Sequence, residues 1–163
     1  MQSPRKKIGL ILSLTLAAGL SLTGAERLRA QTGGKPPRVF LALASGSQET
    51  PSVDTPAVAF GRFILFPDRN LLFYEVRISG LKGAFTGMHL HRGRAGQAGP
   101  VVYPLAAPVG DISIGVVDFN AADEADLMNQ GFYLNVHSQA HPGGECRSQV
   151  MVSPGPLSPT VNP

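Results

Sequence analysis

From Arg38 to Val152 the chain sets apolar and polar residues in short alternating runs, interrupted every few positions by Gly, Pro, Asn or Asp. Val39–Ala44 is apolar, and after the polar stretch Ser45–Pro56 comes AFGRFILF, Ala59–Phe66. The turn composition Pro67-Asp68-Arg69-Asn70 leads into Leu71–Ser79, where Phe73, Glu75 and Arg77 alternate with Tyr74, Val76 and Ile78. Two runs flanking such a turn predict a β-hairpin. Further strand patterns follow at Ala84–His91, Val101–Leu105, Asp111–Phe119, Phe132–His137 and Cys146–Val152, with a Gly-rich loop over Arg92–Pro100. Only Ala121–Gln130 reads as helix, with Asn120 as N-cap, acids in the first turn and Gly131 as the stop. The pattern predicts an all-β domain over 38–152, an antiparallel Greek-key sandwich or barrel of about eight strands with one short helix near 121–130.

The flanks read differently. Arg5, Lys6 and Lys7 precede the uncharged stretch Ile8–Leu22, and Thr23 and Ala25 suit the −3 and −1 sites of a signal peptidase. Residues 1–25 are therefore expected to be a signal peptide, which places the protein outside the cytoplasm, secreted or periplasmic. The alternative is an uncleaved anchor, although about 15 apolar residues fall short of the roughly 20 that span a bilayer. No cysteine stands near the cleavage point, which excludes a lipidated N-terminus. Glu26–Pro37 has the composition of a flexible linker, and Ser153–Pro163, with four prolines, that of a disordered tail.

Removing the leader changes the charge argument. The 163 residues hold 14 Lys+Arg and 11 Asp+Glu, and three of the basic residues lie in 1–25 with no acid, leaving 11 against 11. The basic balance belongs to the leader, and no Lys/Arg run interleaved with aromatics remains to suggest nucleic acid as partner. With cleavage no membrane span is expected. Cys146 is the only cysteine, so no intramolecular disulfide can form and the residue is expected to be a small buried hydrophobe.

Strand periodicity gathers the candidate chemistry. Successive side chains point to opposite faces, so His89 and His91 share one face while Met88 and Leu90 share the other. Tyr133, Asn135 and His137 fall opposite Phe132, Leu134 and Val136, and Glu145, Arg147 and Gln149 fall opposite Cys146, Ser148 and Val150. If the three strands are neighbours, their polar faces form one surface on which His89, His91 and His137 can hold copper, zinc or another divalent metal, leaving a fourth position open. Asn135, Glu145, Arg147 and Tyr133 would then orient the ligands or anchor a small anion, and His141, in the turn Gln139–Gly144, is a further candidate. The plainer reading is solvated imidazoles beside a surface Glu145–Arg147 ion pair. No G-x-S-x-G elbow is present, and HRGRAGQAGP lacks the G-K-[ST] ending of a phosphate loop.

The segments LASGSQETPSVDTPAVAFGRFIL, MHLHRGRAGQAGPVVYPL and GFYLNVHSQAHPGGECRSQ resemble the CHRD domain, first described in chordin and present in many bacterial exported proteins. The resemblance spans Arg38–Val152 and rests on S-G-x-Q-E-x-P, H-x-H-x-G and N-V-H…P-G-G-E-x-R-x-Q together. It implies a β-sandwich or barrel and little about activity, since most bacterial members have none assigned. Arg92 stands where the family pattern often has Gly, so Gly93 comes one residue later beside the His pair. The H-x-H also resembles one short motif of copper–zinc superoxide dismutase, by analogy only. Three functions follow as expectations: an exported binding module for a metal ion or small anionic ligand, a copper-dependent redox enzyme, or a structural or adhesive module contacting an extracellular protein.

Overall fold

The computed structural model describes residues 34–154. The expected leader, most of the linker and all but the start of the tail lie outside the described residues. The strands are β1 (Arg38–Ser45), β2 (Val58–Phe66), β3 (Leu71–Ser79), β4 (Phe85–Arg92), β5 (Val101–Pro104), β6 (Ile112–Asp118), β7 (Phe132–Ser138), β8 (Cys146–Gln149) and β9 (Met151–Val152). All ladders are antiparallel, and the sheet runs β5-β4-β7-β8-β1-β2-β3-β6 with β9 also on β1. The run expected to be one strand over Cys146–Val152 divides at Val150, whose N–H donates to Phe132 O at 2.9 Å. Before that point the chain pairs with β7 and, at Arg147 opposite Ser45, with β1; after it, with β1 alone.

The sheet nearly closes into a barrel. Between the end strands β5 and β6 the link comes from side chains. Tyr74 OH accepts the Ala106 N–H at 2.8 Å, and Ser113 Oγ donates to Ala106 O at 2.7 Å. Read across that seam, the order β7-β4-β5-β6 is a Greek key, in which the fourth strand returns beside the first. The predicted β2–β3 hairpin is present. Pro67–Arg69 forms a 3-10 turn and Asn70, at φ 50°, reverses the chain in the left-handed region that Asn tolerates.

The helix is shorter than the pattern predicts: a 3-10 turn at Ala121–Asp123 runs into α1 (Glu124–Met128), eight residues in all. Asn120 caps it as expected, its Oδ1 accepting the Ala122 N–H at 3.0 Å. The C-terminus ends early because Gln130, at φ 58°, turns the chain so that Gly131 N–H reaches Asp126 O at 2.7 Å. A Cβ at Gly131 would lie 2.9 Å from that oxygen, so the reversal requires glycine.

Alternation fills the barrel. Phe40, Phe63, Leu72, Met88 and Leu134 are buried inside, and Cys146 joins them as expected. The outside is divided. On β4, β7 and β8 it is polar, whereas on β1, β2 and β6 it carries Leu43, Phe60, Ile114 and Val116 exposed, with Arg62, Glu75 and Arg77 between them. Antiparallel sheets commonly solvate one face, so this second apolar face is unusual.

The two faces of β2 give a direct test. Phe63 is fully buried and Phe60 is 45% exposed. In dilute solution Phe63→Ala is expected to cost about 3–5 kcal/mol in urea unfolding, and Phe60→Ala below about 1 kcal/mol.

Candidate metal centre

The register between β4 and β7 sets His89 opposite Asn135, His91 opposite Tyr133 and Gly87 opposite His137. His137 is thus diagonal to His89, and the absent side chain at Gly87 lets the rings meet. A Cβ there would come within 3.1 Å of His89 Cε1. One ligand atom from each of His89, His91 and His137 lies within 4.8 Å of the others, and among the described residues these form the one such group of His, Cys, Asp or Glu.

Two backbone carbonyls fix the tautomers. His91 Nδ1 lies 3.0 Å from Gly99 O, and His137 Nδ1 lies 3.0 Å from Pro142 O. A carbonyl only accepts, so both Nδ1 atoms carry the proton and both Nε2 atoms present lone pairs. His137 Nε2 accepts from His89 Nδ1 at 3.4 Å, a separation close to the roughly 3.4 Å edge of a tetrahedron built with bonds of about 2.0–2.1 Å, so a metal ion would take the place of that shared proton. His91 Nε2 is buried with no hydrogen-bond partner. An imidazole held by one nitrogen on a carbonyl, with the other free, is the usual preparation of a metal-ligating histidine. The donor set fits a divalent first-row ion.

The polar face expected at the surface lies largely under cover. Tyr133, Asn135, Glu145 and Arg147 are buried, because two loops fold over β7 and β8. Loop 93–99 is tied down by Arg147 Nη2, which donates to Arg94 O at 3.0 Å and Gln97 O at 2.7 Å, and by Gln149 Nε2, which donates to Gly93 O at 2.7 Å. The Arg147 guanidinium sits 3.5 Å over the Tyr133 ring, and Tyr133 stacks on His91 at 4.8 Å. The Tyr133 hydroxyl accepts the Gly99 N–H at 3.1 Å, so the residue that holds His91 is itself held by Tyr133.

Glu145 and Arg147 do not form the ion pair that the plainer reading would make of them. Glu145, 0% exposed, accepts from Thr55 Oγ1 at 2.6 Å and from the Lys82 N–H at 2.8 Å, joining loop 46–57 and the β3–β4 turn to β8. His141 stays outside the three-histidine group, half-buried in its turn. The sequence reading missed Gly87, Gly99, Pro142 and Glu49. Glu49 lies in the S-G-x-Q-E-x-P segment, and its Oε1, near Gly144 and Asn135, is buried without a partner, as are Asn135 Oδ1 and Glu145 Oε2.

Burial favours the neutral forms of His89 and His91. Desolvation lowers the His89 pKa, helped by the nearby His137 and His91. Desolvation likewise lowers that of His91, with the Gly99 carbonyl opposing and His137 and Arg147 adding to it. Glu49 is pushed up to about 7 by burial, against the pull of Arg147. For Glu145, burial raises the carboxyl, but its polar surroundings, with the Thr55 hydroxyl and the Lys82 N–H bonded to Oε1, outweigh it and hold the group below its ordinary value.

A family model described as the CHRD domain matches residues 40–150, more than half the chain. The chain belongs to the CHRD-domain family. The match opens in β1 and closes at Val150, where the last strand bends, so the CHRD domain contains both covering loops and all three histidines. Comparison with curated proteins and with solved structures gives no match. No helix among the described residues is long and apolar enough to cross a membrane.

The lowered carboxyl of Glu145 stabilises the fold above the ordinary carboxylate range, and that contribution is lost as pH falls through the folded value. Glu145→Gln is expected to lower stability at pH 7 by about 2 kcal/mol. It is also expected to flatten the acid limb of the urea midpoint plotted against pH. For Glu49, a carboxyl ¹³C titration is expected to show a midpoint of about 7.

Proposed function

We propose that this CHRD-domain protein is an exported binding module that holds a divalent metal ion, copper ahead of zinc, through His89, His91 and His137. The observation that carries this reading is the buried, unpartnered Nε2 of His91, held in its tautomer by Gly99 O, with one ring nitrogen of His89 and one of His137 within 4.8 Å of it and of each other. Imidazole donors suit copper, which also leads the divalent affinity order. Bound there, the ion would supply an open position for a small anion. Arg147, occupied with the carbonyls of Arg94 and Gln97, would act by holding the loop over His91. Export is supported by the composition of residues 1–25.

Copper(II) titration of protein purified from cells expressing the whole sequence, followed by calorimetry and electron paramagnetic resonance, tests the proposal. One equivalent is expected to bind with nitrogen hyperfine structure. The His89→Ala/His91→Ala double variant is expected to lose at least about 100-fold in affinity, and Gly87→Ala at least about 10-fold, in the range seen when ligand-orienting contacts are removed. His141→Ala is expected to bind as the original does. Unchanged binding by the double variant would refute the site.

A further inference from the structure

We propose that the cavity between the two covering loops binds a small hydroxylated carboxylate, the chemistry of a free sugar acid, on the Arg147 guanidinium. The start of loop 46–57 and the tip of loop 93–99 face one another beside β8, and the space between them, about 310 Å³, is bounded by Ser47, Thr50, Ala95, Gly96 and Arg147. Arg147 carries the argument. It is 3% exposed, yet among the described residues it forms no ion pair. One face of its guanidinium lies on Tyr133, and Nη2 is spent on the carbonyls of Arg94 and Gln97. A guanidinium has five N–H donors, and those on Nε and Nη1 find no partner among the described residues. Two carbonyls replace part of the lost hydration but bring no counter-charge, and a buried charge is ordinarily paired. An anion in the adjoining cavity supplies that charge through charge-assisted hydrogen bonds.

The rest of the wall narrows the class. Ser47 and Thr50 bring hydroxyls to it, and Gln48 and Gln149 bring amide oxygens, their Nε2 atoms being bonded already. Such groups exchange hydrogen bonds with the hydroxyls of a ligand. Arg147 is the one cation of the lining, which suits a single negative charge, a carboxylate rather than a phosphate dianion. Glu49, its one acid, is pushed up to about 7 by burial, so at pH 6 it is mainly a neutral group that does not repel a carboxylate. At about 30 Å³ per water the space equals about ten waters, room for one sugar ring with its carboxylate. Arg147 reaches His91 only through the Tyr133 ring, so this site does not rest on the metal reading.

Calorimetric titration with D-glucuronate at pH 6 tests the site, on protein purified from cells expressing the whole sequence and freed of metal on a chelating resin. One equivalent is expected to bind with a dissociation constant below roughly 1 mM. D-glucose, which lacks the charge, and acetate, which lacks the hydroxyls, are each expected to bind at least about tenfold more weakly. Ser47→Trp and Ala95→Trp, at exposed positions on the rim, are expected to weaken glucuronate at least about tenfold by filling the space. Arg147→Gln is expected to abolish binding, but it also releases loop 93–99, so the two rim variants, with urea unfolding to show that they fold, carry the test. The His89→Ala/His91→Ala double variant is expected to bind glucuronate as the original does, which separates this site from an anion held at the histidines. No binding up to roughly 20 mM, equal binding of glucose or of acetate, undiminished binding in both rim variants, or loss in the double variant overturns the inference.

Discussion

The pairing of β4 with β7, Gly87 opposite His137 and His89 opposite Asn135, keeps three imidazoles outside the barrel while Met88, Leu90, Leu134 and Val136 enter its core. A slip of one residue would reverse every side chain, burying the histidines and exposing the apolar set. Burial of those four side chains therefore fixes the polar face as firmly as it fixes the core. Gly87 then supplies what register alone does not, room for the His89 ring to reach a diagonal neighbour.

The remaining polar side chains on this half of the sheet hold backbone rather than one another. Arg147 gathers the carbonyls of loop 93–99, Gln149 adds Gly93 O, and Glu145 takes a hydroxyl and an amide from two other segments. A charged group removed from water is tolerable when hydrogen bonds replace the water; Arg147 and Glu145 Oε1 take theirs from loops, which makes the loops part of the domain, while Glu145 Oε2 is buried without a partner. The Gly99 carbonyl that orients His91 lies in a segment positioned in this way, whereas Pro142, whose carbonyl orients His137, lies in a turn closed by its own backbone hydrogen bonds between Ser138, His141 and Gly144.

Much of this was legible in the sequence, because strand period assigns faces without knowledge of partners. The grouping of His89 and His91 with Tyr133, Asn135 and His137, the opposition of Met88 and Leu90, and the hairpin at Pro67–Asn70 all follow from alternation and turn chemistry. The burial of the polar face did not follow: period distinguishes two sides of a strand but not what lies over each, and both covering loops read as ordinary Gly- and Pro-rich connections. The tautomer-fixing carbonyls carry no residue-type signal at all. The bend at Val150 and the early end of α1 at Met128 depend on hydrogen bonds to Phe132 O and Asp126 O, long-range or conformational events that local pattern does not encode.

The choice between liganding and inert histidines turns on one atom. A solvated or structurally inert imidazole has both nitrogens in water or on protein partners, and removing either partner from a buried polar group costs roughly 1–3 kcal/mol. His91 gives up water at Nε2 and gains no protein partner there, although its ring is stacked on Tyr133 and its Nδ1 is satisfied. Flipping the ring would break the Gly99 contact, so that nitrogen stays free at a cost. An ion bridging it to the neighbouring lone pairs offsets the cost.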